Sequence, residues 1–432
     1  MRVLLTGAAG YLGQAVGRAL LLAGHEVVGV AHSELGRKVL AAGGMSSMLG
    51  DLDDPATLAD AARAADAVVE TASADNQAAV RTLLEILSGT GKRYLRTSGI
   101  GVYSVFSAGE SSERVFTEDC EFTPHEFYRP RLASDQAVVA AADAGVHTVV
   151  LRPGMVYGAG GSEHLPVLLQ AALRDGVSRH PGRGLNQYGN VHLDDLAAGY
   201  VLALEHAPAG SVYNITSGEN TFGEIADGVA EILGLGQAVS VSADEMVQAL
   251  GPLYGMGMAV AARADSTKIQ TELGWTPKGP TLLEDLTAGS YRRLWGRRIP
   301  TLGGSMNELA GEIVASDFCG WSSQLRQEFV DNAYDYQVGS RLLSETDRVK
   351  VWQIRVGPGE RLPAHRHVLD YFWTALADGS SIQHNDDGTT RSVSYRAGDT
   401  RHFTFPGDSY LLHDLCNVGS TELAFITVEH KR

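Results

Sequence analysis

Along the first 290 residues, short apolar runs alternate with amphipathic stretches. Val3-Leu4-Leu5 comes first, and apolar residues then recur at helical spacing to about Leu22. Val27-Val28-Gly29-Val30 follows, then a second helix-like stretch. Ala67-Val68-Val69 leads a long mixed segment, and Tyr94-Leu95-Arg96 comes next. A helix-like segment starts near Pro130, a residue well suited to a first turn, and precedes Val149-Val150-Leu151. Strands alternating with helices of this length predict a doubly wound parallel sheet.

The pattern changes near residue 300. Residues 299–320, opening on Ile299-Pro300-Thr301-Leu302-Gly303-Gly304-Ser305, read as a linker between a first domain, 1–298, and a second, 321–432. Beyond about 320 the helical periodicity fades. Val349–Ile354, Tyr371-Phe372-Trp373, Ser392–Tyr395, His402–Phe405 and Ala424–Val428 are short runs separated by Gly, Asp and Pro. They predict an all-β barrel or jelly roll.

Composition narrows the partners. With 35 Lys and Arg against 51 Asp and Glu, the net charge is −16, which argues against nucleic acid, whose binders neutralise phosphates. No apolar run reaches the roughly 18 residues of a membrane span, and Met1–Gly10 has no signal-peptide core. Cys120, Cys319 and Cys416 are too few for a disulfide framework, so a cytoplasmic location is expected. Glycine is enriched, 50 of 432 residues, which points to tight turns and close backbone approaches.

One such place is Thr6-Gly7-Ala8-Ala9-Gly10-Tyr11-Leu12-Gly13, which follows the first apolar run and opens a helix. Glycines at this spacing let a backbone turn tightly under a pyrophosphate, and the helix N-terminus stabilises its charge. Gly7, Gly10, Tyr11, Leu12 and Gly13 are therefore cofactor-binding candidates. At the end of the second run, Ala31-His32-Ser33 stands where an acid would favour NAD. With Arg37 and Lys38 soon after, NADP is favoured over NAD. Thr71, past the third run, completes the set.

These pieces carry a resemblance. Thr6–Gly13, Gly50-Asp51-Leu52, Thr97-Ser98-Gly99-Ile100-Gly101-Val102-Tyr103, Arg152–Gly158, Val191–Ala197 and Leu273–Pro277 occur in the order found in extended short-chain dehydrogenase/reductases. Residues 1–295 resemble the NAD-dependent epimerase/dehydratase branch, with a Rossmann-like fold. The resemblance places Asp51 and Leu52 near the adenine. It also implies a relay of Ser or Thr, a Tyr, and a Lys four residues later, the Tyr exchanging a proton with the reacting hydroxyl. The chain departs from that relay. Gly99 takes the hydroxyl position with Ser98 one place early, Arg131 takes the Lys position, and Phe127 the Tyr position with Tyr128 beside it. Arginine keeps its proton and cannot relay it. Either Tyr128, Ser98 or Tyr103, with Arg131, rebuilds the site, or the domain binds a nucleotide without turning it over. His164, Gln187, Tyr188 and His192 fall in segments that resemble the substrate side, and Asp195 is expected to cap or orient a helix start.

In the second domain, Gly359 leads to His365 and His367, which share one face if they lie on a strand. Pro406-Gly407 and His413-Asp414-Leu415-Cys416-Asn417 follow. Residues 345–430 resemble a cupin. The usual carboxylate is displaced, because Asp370 comes one residue early and Tyr371 and Phe372 hold the expected places; it could join only through a bulge. His365, His367 and His413 are thus the expected ligands of a divalent Zn, Fe, Ni or Mn, with positions open for water or substrate. The whole chain then reads as a two-domain enzyme. Its first domain works on a carbonyl or hydroxyl of a sugar-like or secondary-metabolite small molecule, and the cupin carries a coupled isomerisation. The alternative is a nucleotide-binding scaffold with the cupin as sole catalyst or as a ligand-binding, dimerising module. Both resemblances imply a homodimer.

Overall fold

The structure, a computed structural model, describes residues 1–52, 54–295, 311–316, 318–333, 335–405 and 410–431. The chain divides into two compact units, Met1–Trp295 and Gly296–Arg432.

The first unit is built on seven parallel strands: β1 (Arg2–Thr6), β2 (Glu26–Ala31), β3 (Ser46–Leu49), β4 (Ala67–Glu70), β5 (Arg93–Thr97), β6 (His147–Pro153) and β7 (Ser211–Ile215). Their order in the sheet is β3-β2-β1-β4-β5-β6-β7, so the winding reverses between β1 and β4. Ligands of such sheets bind beyond the carboxyl ends of the strands at that reversal. Both faces are covered because alternate strand residues point to opposite sides. Val3 and Leu5 pack with helix α1 (Tyr11–Leu22), while Leu4, Val68 and Tyr94 pack on the other face with Val138 of helix α2 (Arg129–Ala140). Helix α3 (Leu193–His206) lies on the same face as α1, through Leu196, Tyr200 and Leu204.

The second unit holds two antiparallel sheets. The first combines β8 (Glu312–Ala315), β11 (Arg361–His367), β13 (Gly379–His384), β14 (Thr390–Tyr395) and β16 (Leu411–Asn417) in the order β8-β14-β13-β16-β11. The second combines β9 (Arg341–Glu345), β10 (Val349–Val356), β12 (Asp370–Ala375), β15 (Thr400–Phe403) and β17 (Leu423–His430) in the order β9-β10-β17-β12-β15. One apolar core joins them: Ile354, Val356, Ala375, Leu423 and Phe425 from one sheet meet Val393, Tyr395 and Leu415 from the other.

Two expectations change. The stretch read as linker carries β8, which pairs with β14 and so belongs to the second unit; residues 299–310 and Pro406-Gly407 lie outside the described residues. A helix, α4 (Ser323–Asp331), also stands in the region read as all-β; Ser322 caps it, and its buried Phe329 packs with Trp321, Ala364 and Leu412. A helix this short buries one side chain and leaves little periodicity to detect. Among the described residues no helix is long and apolar enough to cross a membrane.

Candidate functional sites

The glycine loop sits at the β1 carboxyl end, as its sequence requires. Gly7 has φ +68°, and a Cβ there would lie 2.6 Å from the Ala72 backbone. A Cβ on Gly13 would lie 2.1 Å from the Gly7 carbonyl. Gly10 precedes α1, and no side chain caps the helix, so its first amides face the loop unclaimed by a side chain. The loop and helix end thus fit a pyrophosphate. Thr71 is held beside them, its amide and hydroxyl both donating to the Thr6 carbonyl at 3.2 and 2.7 Å.

Other cofactor candidates hold different places. The Tyr11 hydroxyl donates to the Gly158 carbonyl at 2.8 Å, and Leu12 packs on the core, so those side chains serve the fold. Ser33 caps the next helix, accepting from the Gly36 amide, and Arg37 pairs with Glu34 at 3.2 Å. His32 and Asp51 are exposed and Leu52 is half-buried, after β2 and β3.

Beyond β5 the relay candidates separate. Ser98 and Tyr103 are buried and belong to a charged network inside the domain. The Asp135 carboxylate accepts from Arg96 Nε (3.1 Å), Ser98 Oγ (2.8 Å) and Arg152 Nε (3.0 Å). Arg152 also donates to the Tyr103 hydroxyl at 2.6 Å, which donates to Asn214 at 3.1 Å. Arg96 further meets Glu70 at 3.4 Å, and burial raises the Glu70 carboxyl above its ordinary range against the pull of Arg96. The Ser98 and Tyr103 hydroxyls are both engaged in this network. The signal for the network was Arg96, a charge inside an apolar strand.

Tyr128 is placed differently. Phe127 turns outward, half exposed, while the Tyr128 ring lies against the turn Ile100–Tyr103; a Cβ on Gly101 would touch its Cε1 at 3.0 Å. The Arg131 guanidinium lies 5.2 Å from the Tyr128 ring centre and holds Asp75 by two bonds of 2.9 and 2.7 Å. A Cβ on Gly99 would reach Arg131 Nη1 at 3.4 Å, so glycine at 99 and arginine at 131 fit one another. Burial raises the Tyr128 hydroxyl, and Arg131 opposes that rise. Asp75 was not foreseen, since it lies 56 residues from Arg131 in sequence.

Tyr188 and His164 approach the same place, their ring centres 6.4 Å apart, with Tyr254 6.3 Å from His164. Burial lowers His164, leaving it neutral near pH 7. Gln187 accepts from the Ser112 amide. His192 caps α3 through the Asp194 amide. Asp195 instead grips the chain after Trp275, accepting from the Lys278 and Gly279 amides at 2.7 and 2.9 Å, while Trp275 Nε1 donates to its carbonyl.

In the second unit, β11 and β16 bring His365, His367 and His413 together, with His365 and His413 paired across the ladder. All three are buried, and their nearest ring nitrogens lie within 4.8 Å of one another. His365 Nδ1 is occupied by the Pro363 carbonyl at 2.8 Å, which leaves Nε2 for the cluster. Among the described residues neither nitrogen of His413, nor Nδ1 of His367, has a hydrogen-bond partner. Orphaned buried nitrogens are costly unless something coordinates them, so the donor set fits a divalent cation. Burial lowers all three rings, His413 to about 3, so they are neutral and ready to ligate. Asp370 stands apart, accepting from the Phe405 amide at 2.7 Å; Tyr371 stacks on His367 at 4.1 Å.

Comparison with known proteins bears on the first unit. Residues 3–216 match the model of the NAD dependent epimerase/dehydratase family. An uncharacterized protein of Schizosaccharomyces pombe is 33% identical over 304 residues, 67% of this chain and 100% of its own length. The 2-alkyl-3-oxoalkanoate reductase of Stenotrophomonas maltophilia is 30% identical over 243 residues, 51% of this chain and 71% of the reductase. Among solved structures, dTDP-glucose 4,6-dehydratase from Streptomyces venezuelae with NAD bound superposes with a TM-score of 0.55 at 24% identity, covering 68% of this chain and 97% of that one. The glycine loop at β1, the sheet order and these matches together make this chain a member of the NAD-dependent epimerase/dehydratase family.

Proposed function

We propose that the first unit is an NADP(H)-dependent oxidoreductase acting on a carbonyl or hydroxyl of a small molecule, with Tyr128 as the proton-exchanging group. One observation carries this: Tyr128 is the relay candidate whose ring lies outside the buried network, beside Arg131 and the glycine turn 99–101. The loop Gly7–Gly13 would hold the pyrophosphate, and Ala31, with no acid at the end of β2, leaves room for a 2′-phosphate. When bound, the nicotinamide supplies or accepts a hydride. Tyr128 gives its hydroxyl proton to the substrate oxygen, or takes it back in the reverse direction. Arg131 stays charged and orients Tyr128 and the ribose. Titration with NADPH and NADH, followed by fluorescence, tests the proposal; no saturation with either removes it. Tyr128→Phe should abolish turnover, and unchanged rates would exclude Tyr128.

A second reading rests on the histidine cluster. The second unit is a cupin-like barrel in which His365, His367 and His413 would hold a divalent metal, with a coupled isomerisation-type step as its chemistry. Such an ion, when bound, supplies Lewis-acid polarisation of a substrate oxygen. The three orphaned nitrogens support the reading. Metal analysis of protein purified without chelator tests it; full metal content in His365→Ala would overturn it.

A further inference from the structure

A carbonyl oxygen that gains negative charge as hydride arrives is stabilised by donors fixed around it, and one hydroxyl rarely suffices. Around Tyr128 the donors of the expected relay are spent. Gly99 has no side chain, and Ser98 is tied to Asp135 inside the network. Arg131 gives two of its donors to Asp75. Across the site, on the strand Gln187–His192, stands Tyr188. Tyr188 packs in one cluster with Ile100, and Tyr128 and Arg131 are near enough for their charges to act on its hydroxyl. Tyr188 is only 8% exposed and belongs to the cluster on which Tyr128 packs. Among the described residues no group pairs with its hydroxyl.

We propose that the Tyr188 hydroxyl is the second donor of this site, holding the carbonyl oxygen of an uncharged, flat substrate while Tyr128 protonates that oxygen. The inference rests on the oxidoreductase reading above. With the hydride of NADPH forming the new C–H bond and leaving NADP+, the carbonyl π pair takes the Tyr128 proton as the O–H bond of the alcohol, Tyr128 is left as phenolate to be reprotonated from water, and Tyr188 keeps its own proton. Burial pushes Tyr188 far above the ordinary phenol range, with the neighbouring Tyr128 adding to the rise, so it serves as a donor and never as a base. The walls define the substrate class. Tyr188, Tyr254 and neutral His164 are aromatic, the Arg131 charge is balanced by Asp75, and the acidic Glu163 lies beside His164. Among the described residues the cation there, Arg131, is paired with Asp75, so a diphosphate is poorly served, whereas a flat neutral ketone or quinone would stack.

The test uses the full-length protein, NADPH and 9,10-phenanthrenequinone as a flat dicarbonyl probe. Tyr188→Phe should lower kcat about 100-fold, the scale of one lost oxyanion donor, with KM within about threefold. Its quinone affinity, read from quenching of protein fluorescence without nucleotide, should also change less than about threefold, and the pH profile of kcat should keep its position. Tyr188→Leu, which removes the ring, should weaken quinone binding about tenfold or more, the scale of a lost aromatic stack. UDP-glucose should not displace the quinone. A kcat for Tyr188→Phe within about threefold of wild type overturns the proposal. So does displacement by UDP-glucose, or wild-type protein that takes up NADPH yet neither binds nor reduces the quinone. Absence of NADPH uptake overturns the oxidoreductase reading along with it, which separates the two failures.

Discussion

Replacing Asp135 by asparagine removes the charge on which the interior of the first unit balances. The carboxylate is 1% exposed and accepts from two buried guanidinium groups and from Ser98. Among the described residues the other acid paired with a guanidinium of this network is Glu70, on Arg96, and its carboxyl is already raised by burial, so it cannot take over. Asparagine keeps the shape but leaves Arg96 with Glu70 and takes from Arg152 its paired carboxylate, and it turns an amide N–H toward a guanidinium. Breaking a buried pair by removing one partner costs about 3–5 kcal/mol. That is a large part of the ~5–15 kcal/mol that holds a native domain. At about 2–4 °C per kcal/mol for a domain near this size, the melting point should fall by roughly 6–20 °C. Far-UV circular dichroism of the full chain at pH 7 reads this directly. Asp135→Asn combined with Arg152→Met should cost less than the sum of the singles, because the second change removes the stranded charge. A loss below about 1 kcal/mol for Asp135→Asn refutes the argument, since that is within the range of surface pairs.

Three further outcomes are expected. Gly7→Ala should abolish NADPH uptake and cost about 1–3 kcal/mol, because alanine is strained at φ +68° and its Cβ meets the Ala72 backbone; retained uptake speaks against the loop's role. Asp195→Ala should expose residues 275–280 to hydrogen exchange and cost about 1.5–3 kcal/mol, as two amides lose a charged acceptor; unchanged protection there contradicts the assignment. The metal-free second unit should weaken as pH falls below about 6.5, where unfolded histidine takes up protons that the buried, depressed His365, His367 and His413 refuse. The slope is at most about 1.4 kcal/mol per pH unit for each ring, down to about pH 3 for His413. Guanidinium titrations in EDTA between pH 5 and 7, followed by tryptophan fluorescence, measure it, and a flat midpoint would mean the rings are not buried neutral.

What could be read from sequence was whatever depends on local spacing. Gly7, Gly10 and Gly13 stand where their spacing placed them, because steric need for glycine is a local property. The period of two put His365 and His367 on one face, and Val349–Ile354 lies within the strand Val349–Val356. Contacts between distant residues were not legible. The partners Glu70, Arg96, Asp135 and Arg152 come from β4, β5, α2 and β6, and only the sheet order brings them together. That Ser98 and Tyr103 are tied into the interior while Tyr128 stands apart from that network is something spacing does not record. Glu312–Ala315 escaped notice because three of its four residues are exposed, and Ile313 and Val314 look like ordinary linker residues.

That edge strand has a consequence for synthesis. Its partner residues in β14 begin at Thr390, paired with Ala315, so 75 residues (390 − 315) must follow before the pairing can form. At about 5–20 residues per second, Ile313 and Val314 wait roughly 4–15 s outside any sheet after they leave the ribosome. During that interval the nascent chain carries a short unpaired apolar segment just behind a fully translated first unit.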